Sequence, residues 1–371
     1  MTDLIKTNTI LLSQGKLKNR TNQLVDPQNF EIITSYSFDN TKFTKLLNYS
    51  NQNELRESAK KYFLVNINHA YIETVTGLVF DESKIYHFNS APPKKRRRKF
   101  KGTYEVKKIN APIVSLITSQ SFLFQHFCFE TLPQLALLET WFKDNPKVYY
   151  LLPKIPALMD IVKLYGILDS ARIIWAEYGC IYESDNVLIG TWSNDGYRIV
   201  QGGCTNILKN FFLDDDGLPA DSPLRNEVLY LTRADMACRR VTNEQDLLQM
   251  VTAELKDGYN LVVFNATGKV VDDKKKFSKA RAIIGPHGGA FVNMIYMPEG
   301  TDVIEFNNYS FGPGIETRPC YWAAASFLGL GYSIVRPVKP IQEYHKGQME
   351  VPVDNLGTRK KISIPILHSK I

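Results

Sequence analysis

Two polar residues in an otherwise apolar segment are the first candidates for chemistry. His126 and Glu130 stand four residues apart within residues 121–139, a spacing that puts both side chains on one face of a buried helix. A histidine or a carboxylate on a buried wall can take a proton from a hydroxyl group. The alternative is a structural pair whose members satisfy each other, because a buried ionisable group needs a partner in any case. Pro133 follows the pair and removes a backbone N–H, so a kink or a helix start is expected there.

A glycine-rich turn is the second candidate. Residues 282–284 form a short apolar run, residues 285–289 read Gly-Pro-His-Gly-Gly, and Ala290 onward favours a helix. The sequence therefore predicts a strand, a turn and a helix N-terminus, where unpaired N–H groups and the helix dipole attract an anion. Gly288 and Gly289 let a phosphate approach the backbone, and the preceding His287 adds a side-chain donor. Taken alone, such a turn is also an ordinary connection in any α/β protein.

Arg233 and Glu305 are expected at the ends of two other strands. Ligands bind outside the carboxyl ends of the strands in open α/β sheets. Arg233, with Arg239 or Arg240 nearby, offers a guanidinium clamp for a diphosphate. Glu305 is an acceptor suited to paired ribose hydroxyls. Together with the glycine turn these residues predict a nucleotide-diphosphate site, although Arg233 and Glu305 alone are equally compatible with a surface salt bridge.

Alternating strands and helices must position these residues. From residue 148 onward the apolar runs alternate between strand and helix lengths, which predicts mostly parallel sheets with flanking helices. Residues 214–223 are rich in Asp, Gly and Pro and mark a domain boundary. We therefore expect a loosely ordered segment over 1–60, an α/β domain over 61–215 and a nucleotide-binding domain with a C-terminal tail over 224–371.

Finer expectations attach to three segments. The β-rich residues 62–88 predict a small antiparallel sheet that extends the first domain. A helix is expected over residues 242–255, because Thr242 and Gln245 have the spacing of a capping box. Another helix is expected over residues 273–280.

The composition is that of a soluble globular protein with room for two domains. The chain has 371 residues, of which 44% are hydrophobic and 22% charged, enough for two cores. Its N-terminal apolar patch is far shorter than the roughly 20 residues that cross a bilayer. The five cysteines contain no CxxC pair, which argues against a zinc site or a disulfide framework and fits a reducing compartment. We expect a cytoplasmic protein.

A basic run accounts for the net charge. Residues Lys94–Lys101 contain seven Lys or Arg residues, which equals the formal charge of +7 for the whole chain. A solvated loop is the simplest interpretation. An import factor that would give a nuclear location, or an anionic membrane surface, are the alternative partners. Aromatic residues are scarce in the run, so a nucleic-acid partner is not expected.

Three motifs, in order along the chain, resemble glycosyltransferase family 61. The most specific is the glycine-histidine block over residues 284–301, followed by Val303-Ile304-Glu305. The second joins residues 230–233 to residues 239–244, and the third is the segment 126–133. The chain differs from the family pattern where Gly289 directly follows Gly288, and where Glu130 replaces a more usual aspartate.

The resemblance implies a fold, a reaction and a set of site residues. The implied fold is GT-B, with two Rossmann-like domains facing a cleft and, in this chain, a small β-rich N-terminal extension. The implied reaction is inverting transfer of a sugar from a nucleotide-sugar, usually a UDP-sugar, to a hydroxyl of a glycan or glycoprotein acceptor. No cofactor and no metal is expected. Donor-site residues carried over from the motifs are Arg233, Arg240, Asn243, His287, Gly288, Gly289, Asn293 and Glu305, and the base is His126 or Glu130.

Other functions remain open at this stage. The same fold can serve as a non-catalytic module that binds a glycan or a partner, with the basic run Lys94–Lys101 as its surface. A dinucleotide oxidoreductase is a weaker alternative because no GxGxxG is present. Asp214-Asp215-Asp216 resembles a metal-binding DxD motif but lies in linker sequence, so a metal site there is a minor alternative.

Overall fold

A computed structural model describes residues 5–13, 21–24, 31–37, 61–87, 103–118, 121–166, 169–192, 222–236, 238–266, 268–307, 319–335 and 351. The chain divides into two compact units, residues 1–200 and 201–371. The boundary predicted at 214–223 falls mainly outside the described residues. The basic run Lys94–Lys101, the Asp214–Asp216 motif and most of the C-terminal tail fall outside them too.

The first unit is built on a mixed sheet of eleven strands. In chain order the strands are β1 (Ile5–Ser13), β2 (Thr21–Leu24), β3 (Glu31–Ser37), β4 (Lys61–Glu73), β5 (Leu78–Phe80), β6 (Lys84–His87), β7 (Thr103–Ile109), β8 (Ile113–Ser115), β9 (Tyr149–Pro153), β10 (Ile173–Ala176) and β11 (Ile181–Trp192). Strands β8, β9 and β10 are parallel neighbours, and β11 is parallel to β8 but antiparallel to β4 along the length of both.

Two expectations for this unit need correction. The strands between residues 62 and 88 do not form a sheet of their own, because β4 pairs with β11 and joins them to the parallel strands. The segment 1–60 is not simply loosely ordered, since β1 pairs with β7, β2 with β6 and β3 with β4. A local pattern does not reveal these strands, because strand formation depends on partners far along the chain.

The helical part of the first unit begins with an irregular stretch. A helical turn, Phe124–His126, leads into a π-helical turn, Phe127–Thr131, and then into helix α1 (Leu132–Asp144). Helix α2 (Pro156–Tyr165) follows β9. Helix α1 buries Leu132, Leu135, Leu138 and Phe142.

The second unit confirms the predicted alternation. Its parallel sheet has the order β13-β12-β14-β15-β16. The strands are β12 (Glu227–Leu231), β13 (Asn260–Phe264), β14 (Ala280–Pro286), β15 (Asp302–Phe306) and β16 (Gly331–Val335), and the helices are α3 (Glu244–Glu254), α4 (Val270–Lys279) and α5 (Pro319–Leu328). A 3₁₀ helix, Gly289–Tyr296, follows β14.

Two local predictions for the second unit were wrong. Helix α3 begins after Asn243 rather than Thr242, and no side chain caps its N-terminus, so the predicted capping box is not formed. The helix after the glycine turn is a 3₁₀ helix and not an α-helix. Its i→i+3 hydrogen bonds are poorer than those of an α-helix, and the expected dipole contribution is correspondingly smaller.

Close packing of two strands explains the first glycine of the turn. A Cβ added at Gly285 would lie 2.8 Å from the carbonyl oxygen of Leu231, at the end of the neighbouring strand. Backbone on both sides leaves little room for relaxation. Gly285 therefore brings the carboxyl ends of β12 and β14 together.

Among the helices of the described ranges, none is long and apolar enough to cross a membrane.

Gly285→Ala is expected to lower the free energy of unfolding by about 1–3 kcal/mol, the usual range for overpacking. Gly289→Ala is the matched control, because a Cβ there meets nothing within 4 Å, and its effect should stay within about 0.5 kcal/mol. Urea unfolding followed by circular dichroism measures both variants. Equal unfolding midpoints for the two would contradict the packing argument.

Candidate functional site

Three of the predicted donor-site residues follow or end strands at one edge of the second sheet. Arg233 lies two residues beyond β12, His287 directly follows β14, and Glu305 lies in β15 one residue before its end. Strands β12, β14 and β15 are adjacent and parallel, so their carboxyl ends meet at the same edge. This is the edge where open α/β sheets bind ligands.

Arg233 lies against the glycine turn. A Cβ at Gly288 would come within 2.5 Å of Nη1 of Arg233, so the missing side chain makes room for the guanidinium. Arg233 also donates from Nε to the carbonyl oxygen of Cys238 at 3.2 Å. Arg233 and the glycine turn are therefore in direct contact, as expected for residues of one site.

The charge around Arg233 is unbalanced. Burial and the neighbouring Arg239 both lower the pKa of Arg233, which means that the local environment disfavours its positive charge. Within the described ranges no carboxylate pairs with Arg233, whose guanidinium contacts the carbonyl oxygen and the sulfur of Cys238. Two neighbouring arginines, with no carboxylate paired to Arg233 in the described ranges, give this sheet edge a positive charge that can attract an anion.

Cys238 lies in the positive electrostatic field of Arg233 and Arg239. Its thiol is free, and Sγ lies 3.6 Å from Nη2 of Arg233. Burial alone would raise the pKa of this thiol, but Arg239 and Arg233 outweigh burial and the pKa lies below its usual value. An electropositive setting of this kind favours a thiolate, as it would favour a phosphate.

The backbone of the turn supplies further donors. Gly288 precedes the 3₁₀ helix, and its carbonyl accepts a hydrogen bond from the N–H of Phe291 at 3.1 Å. The N–H groups of Gly289 and Ala290 come before that bond, as the first N–H groups of any helix do. Tyr321 fixes the turn from α5 by donating its hydroxyl to the carbonyl of Gly288 at 2.6 Å.

His287 is placed differently from the expectation. It was expected as a side-chain donor open to a phosphate, but only 1% of its surface is exposed. Its backbone N–H bonds the carbonyl of Phe306 at 3.0 Å, and its Nδ1 contacts Oε1 of Glu305. The ring of Tyr321 lies 5.0 Å from the imidazole ring, centroid to centroid. His287 therefore lies beneath the turn, in the core of the unit.

Glu305 was expected to bind ribose hydroxyls, but in the structure its carboxylate contacts protein side chains. It is completely buried. Its Oε1 accepts a hydrogen bond from Asn307 at 3.0 Å and faces His287, and its Oε2 accepts the hydroxyl of Tyr332. A carboxylate in water-excluded surroundings requires such donors, so ribose binding would have to break them.

Sequence reasoning missed Asn307 and Tyr332. Asn307 lies two residues after Glu305, which puts both side chains on one face of the extended chain; that spacing was a usable signal. Tyr332 lies on the neighbouring strand β16, and only the sheet order reveals its contact with Glu305.

The other three residues carried over from the family motifs, Asn243, Asn293 and Arg240, differ in burial and in hydrogen bonding. The carboxamide of Asn243 bonds both backbone groups of Val351, at 2.7 and 3.1 Å, so Asn243 anchors a distant part of the chain. Asn293 is buried, and its Oδ1 accepts no hydrogen bond from the described residues. Arg240 is exposed to solvent.

In the first unit, the segment of His126 and Glu130 is helical but not regular. His126 is half-buried, which corrects the expectation of a buried histidine; the side chain of Glu130 lies outside the described residues. The π-helical turn bonds the N–H of Leu132 to the carbonyl of Phe127. The irregularity lies just before Pro133, where a missing N–H was predicted to disturb the helix. Such π-turns are frequent at functional sites.

The described parts of the chain contain no group of three or more His, Cys, Asp or Glu side chains that is placed to hold a metal ion.

Comparison with known proteins agrees with the motifs. A family model described as Glycosyltransferase 61 matches residues 124–304. The match covers residues of all three motifs that carry the resemblance and supports membership of glycosyltransferase family 61. Among curated proteins, none matches this sequence.

Proposed function

We propose that this member of glycosyltransferase family 61 transfers a sugar from a UDP-sugar to a hydroxyl of a glycan or glycoprotein acceptor, with inversion and without a metal ion. The observation that carries the proposal is the contact between Arg233 and Gly288 at the carboxyl edge of the parallel sheet, with Arg239 nearby and no acid paired to Arg233 within the described ranges.

The diphosphate of the donor fits this edge by charge and by shape. A guanidinium presents a planar fork of N–H donors that matches phosphate oxygens. The N–H groups of Gly289 and Ala290 add donors without bulk. Arg240, exposed on the same loop, is the remaining cation of the expected set. Nucleotide binding at the carboxyl edge of five parallel strands is also what the GT-B fold expected from the family resemblance would require.

The same contacts suit the chemistry of the leaving group. In a transfer that breaks the bond from the anomeric carbon to the diphosphate, negative charge grows on the departing oxygen. Arg233, Arg239 and the turn hold fixed positive charge and N–H dipoles where that charge develops, which stabilises the transition state more than the ground state. A metal ion is therefore not needed for this role.

The acceptor side is assigned to the first unit. Inversion by a single displacement requires a base that takes the proton of the attacking hydroxyl. His126 and Glu130 are the proposed pair. The support is the π-helical turn that contains Glu130 and begins directly after His126, together with the family motif in which both lie.

Calorimetric titration with UDP tests the donor site. Arg233→Ala removes the guanidinium, and Gly288→Ala puts a Cβ where that guanidinium lies. Each should weaken UDP binding about 10- to 100-fold, the loss expected for a charge-assisted hydrogen bond.

The matched control for this titration is Arg281→Ala, which also removes a guanidinium. Arg281 lies at the amino end of β14 and contacts Gly300 and Asp302, so this variant should keep wild-type affinity. Wild-type affinity in Arg233→Ala and Gly288→Ala would disprove the site assignment, and no binding of UDP or any UDP-sugar to the wild type would disprove the donor class.

Substitution of the proposed base should separate binding from transfer. His126→Ala or Glu130→Gln is expected to reduce sugar transfer about 100- to 10,000-fold, the usual contribution of a general base, with UDP affinity unchanged. A radiochemical transfer assay measures turnover and calorimetry measures binding.

Glu139→Gln is the matched control for Glu130→Gln, because it makes the same carboxylate-to-amide change on helix α1, which follows the π-helical turn. The carboxylate of Glu139 forms a surface ion pair with Lys143 at 2.9 Å. That variant should retain full activity. Unchanged turnover in both His126→Ala and Glu130→Gln would show that the base lies elsewhere.

A further inference from the structure

We propose that Glu305, Asn307 and Tyr332 are positioning residues: they hold His287 in one tautomer and one orientation, and thereby fix the phosphate-binding turn above it. The inference rests on the proposed function, because it concerns the turn assigned to the donor diphosphate. It assigns a task to a carboxylate that sequence reasoning had given to the ribose.

Glu305 forms one hydrogen-bonded network with His287, Asn307 and Tyr332. Exposed fractions of His287, Glu305 and Asn307 are 1%, 0% and 1%, so water does not satisfy these polar groups. Both oxygens of Glu305 have donors, with Oε1 shared by His287 and Asn307 and Oε2 bonded by Tyr332. Three donors around one buried carboxylate are what an ionised form needs to remain inside a protein.

The contact between Glu305 and His287 assigns the proton. An ionised carboxylate only accepts hydrogen bonds, and Oε1 of Glu305 faces Nδ1 of His287. Nδ1 must therefore carry a hydrogen. The carboxamide nitrogen of Asn307, which can only donate, lies 3.4 Å from the same nitrogen and donates to Oε1 at 3.0 Å, so its approach to a protonated Nδ1 is a contact and not a hydrogen bond. The partner of one ring nitrogen sets the tautomer of the whole ring.

The net charge of the His287–Glu305 pair depends on whether His287 is protonated. If His287 is protonated, its positive charge is cancelled by Glu305; if it is neutral, the pair is negative. In neither form does the pair add net positive charge to the site. The attraction for a diphosphate must then come from Arg233, Arg239 and the backbone, and the value of the network lies in geometry.

His287 links the network to the turn. His287 is anchored through its ring to Glu305 and through its backbone N–H to Phe306, and the next residue is Gly288, which contacts Arg233. A rotation of His287 would move the carbonyl and the N–H groups of the turn. Because binding groups must be held within fractions of an ångström to act together, the buried network sets the position of the phosphate donors.

Glu305→Gln tests the inference because it keeps the shape of the side chain and removes its charge. Histidine-selective ¹⁵N labelling resolves the ring nitrogens of the six histidines, and a spectrum of His287→Gln assigns the signal. The wild type should show a hydrogen on Nδ1 of His287, and Glu305→Gln should lose or shift that signal. UDP affinity should fall about 10- to 100-fold, as when a residue that orients a binding group is removed.

Tyr332→Phe is the milder second variant, since it removes one donor to Oε2 and little volume. It should shift the same histidine signal and weaken UDP binding less than Glu305→Gln does. Asp302→Asn is the matched control: the same change of a carboxylate to an amide, on the same strand, at its opposite end beside Arg281. It should leave the His287 signal and the UDP affinity unchanged.

Three results would overturn the inference. They are a wild-type spectrum with hydrogen on Nε2 and none on Nδ1, an unchanged His287 signal in Glu305→Gln, and wild-type UDP affinity in a folded Glu305→Gln protein. If the wild type binds no UDP, the proposed function fails, but the ¹⁵N spectra still decide whether Glu305 sets the tautomer of His287. The two failures are therefore distinguishable.

Discussion

A carboxylate that folding removes from water must find hydrogen-bond donors inside the protein, and Glu305 is such a group. Its donors come from three places in the sequence: His287 after β14, Asn307 at the end of β15, and Tyr332 on β16. Satisfying one carboxylate thus ties together three neighbouring strands. The glycine turn is attached directly to this point through His287, so its position depends on the same interaction.

The opposite electrostatic situation exists a few residues away. Arg233 and Arg239 lie close enough to lower the pKa of Arg233, and no acid in the described ranges pairs with Arg233. One side of the turn thus carries no net positive charge and is held by hydrogen bonds, while the other is positive and has no carboxylate paired to Arg233 in the described ranges. Anion sites combine these two properties, because the protein holds its donors in place before the ligand arrives.

Much of the second unit could be predicted from the sequence, because each parallel strand there is a short apolar run bounded by turn residues. Strand ends follow directly, and with them the meeting of Arg233, His287 and Glu305 at one edge. Contacts across the sheet could not be predicted: the role of Glu305 depends on Tyr332 from another strand. In the first unit β1, β2 and β3 went unrecognised because their pairing partners are distant in sequence, whereas Pro133 did mark the irregular helix. The direction in which the side chains of Asn243 and His287 point is likewise set by packing and not by motif.

The central claim is that a nucleotide diphosphate binds where β12 and β14 end. Hydrogen–deuterium exchange of the whole chain, with and without UDP, tests it most directly. The account predicts slower amide exchange over residues 231–236 and 286–291 when UDP is present, and unchanged exchange over residues 298–302 at the other edge of the same sheet. Equal exchange over 286–291 with and without saturating UDP, or protection confined to the opposite edge, would contradict it.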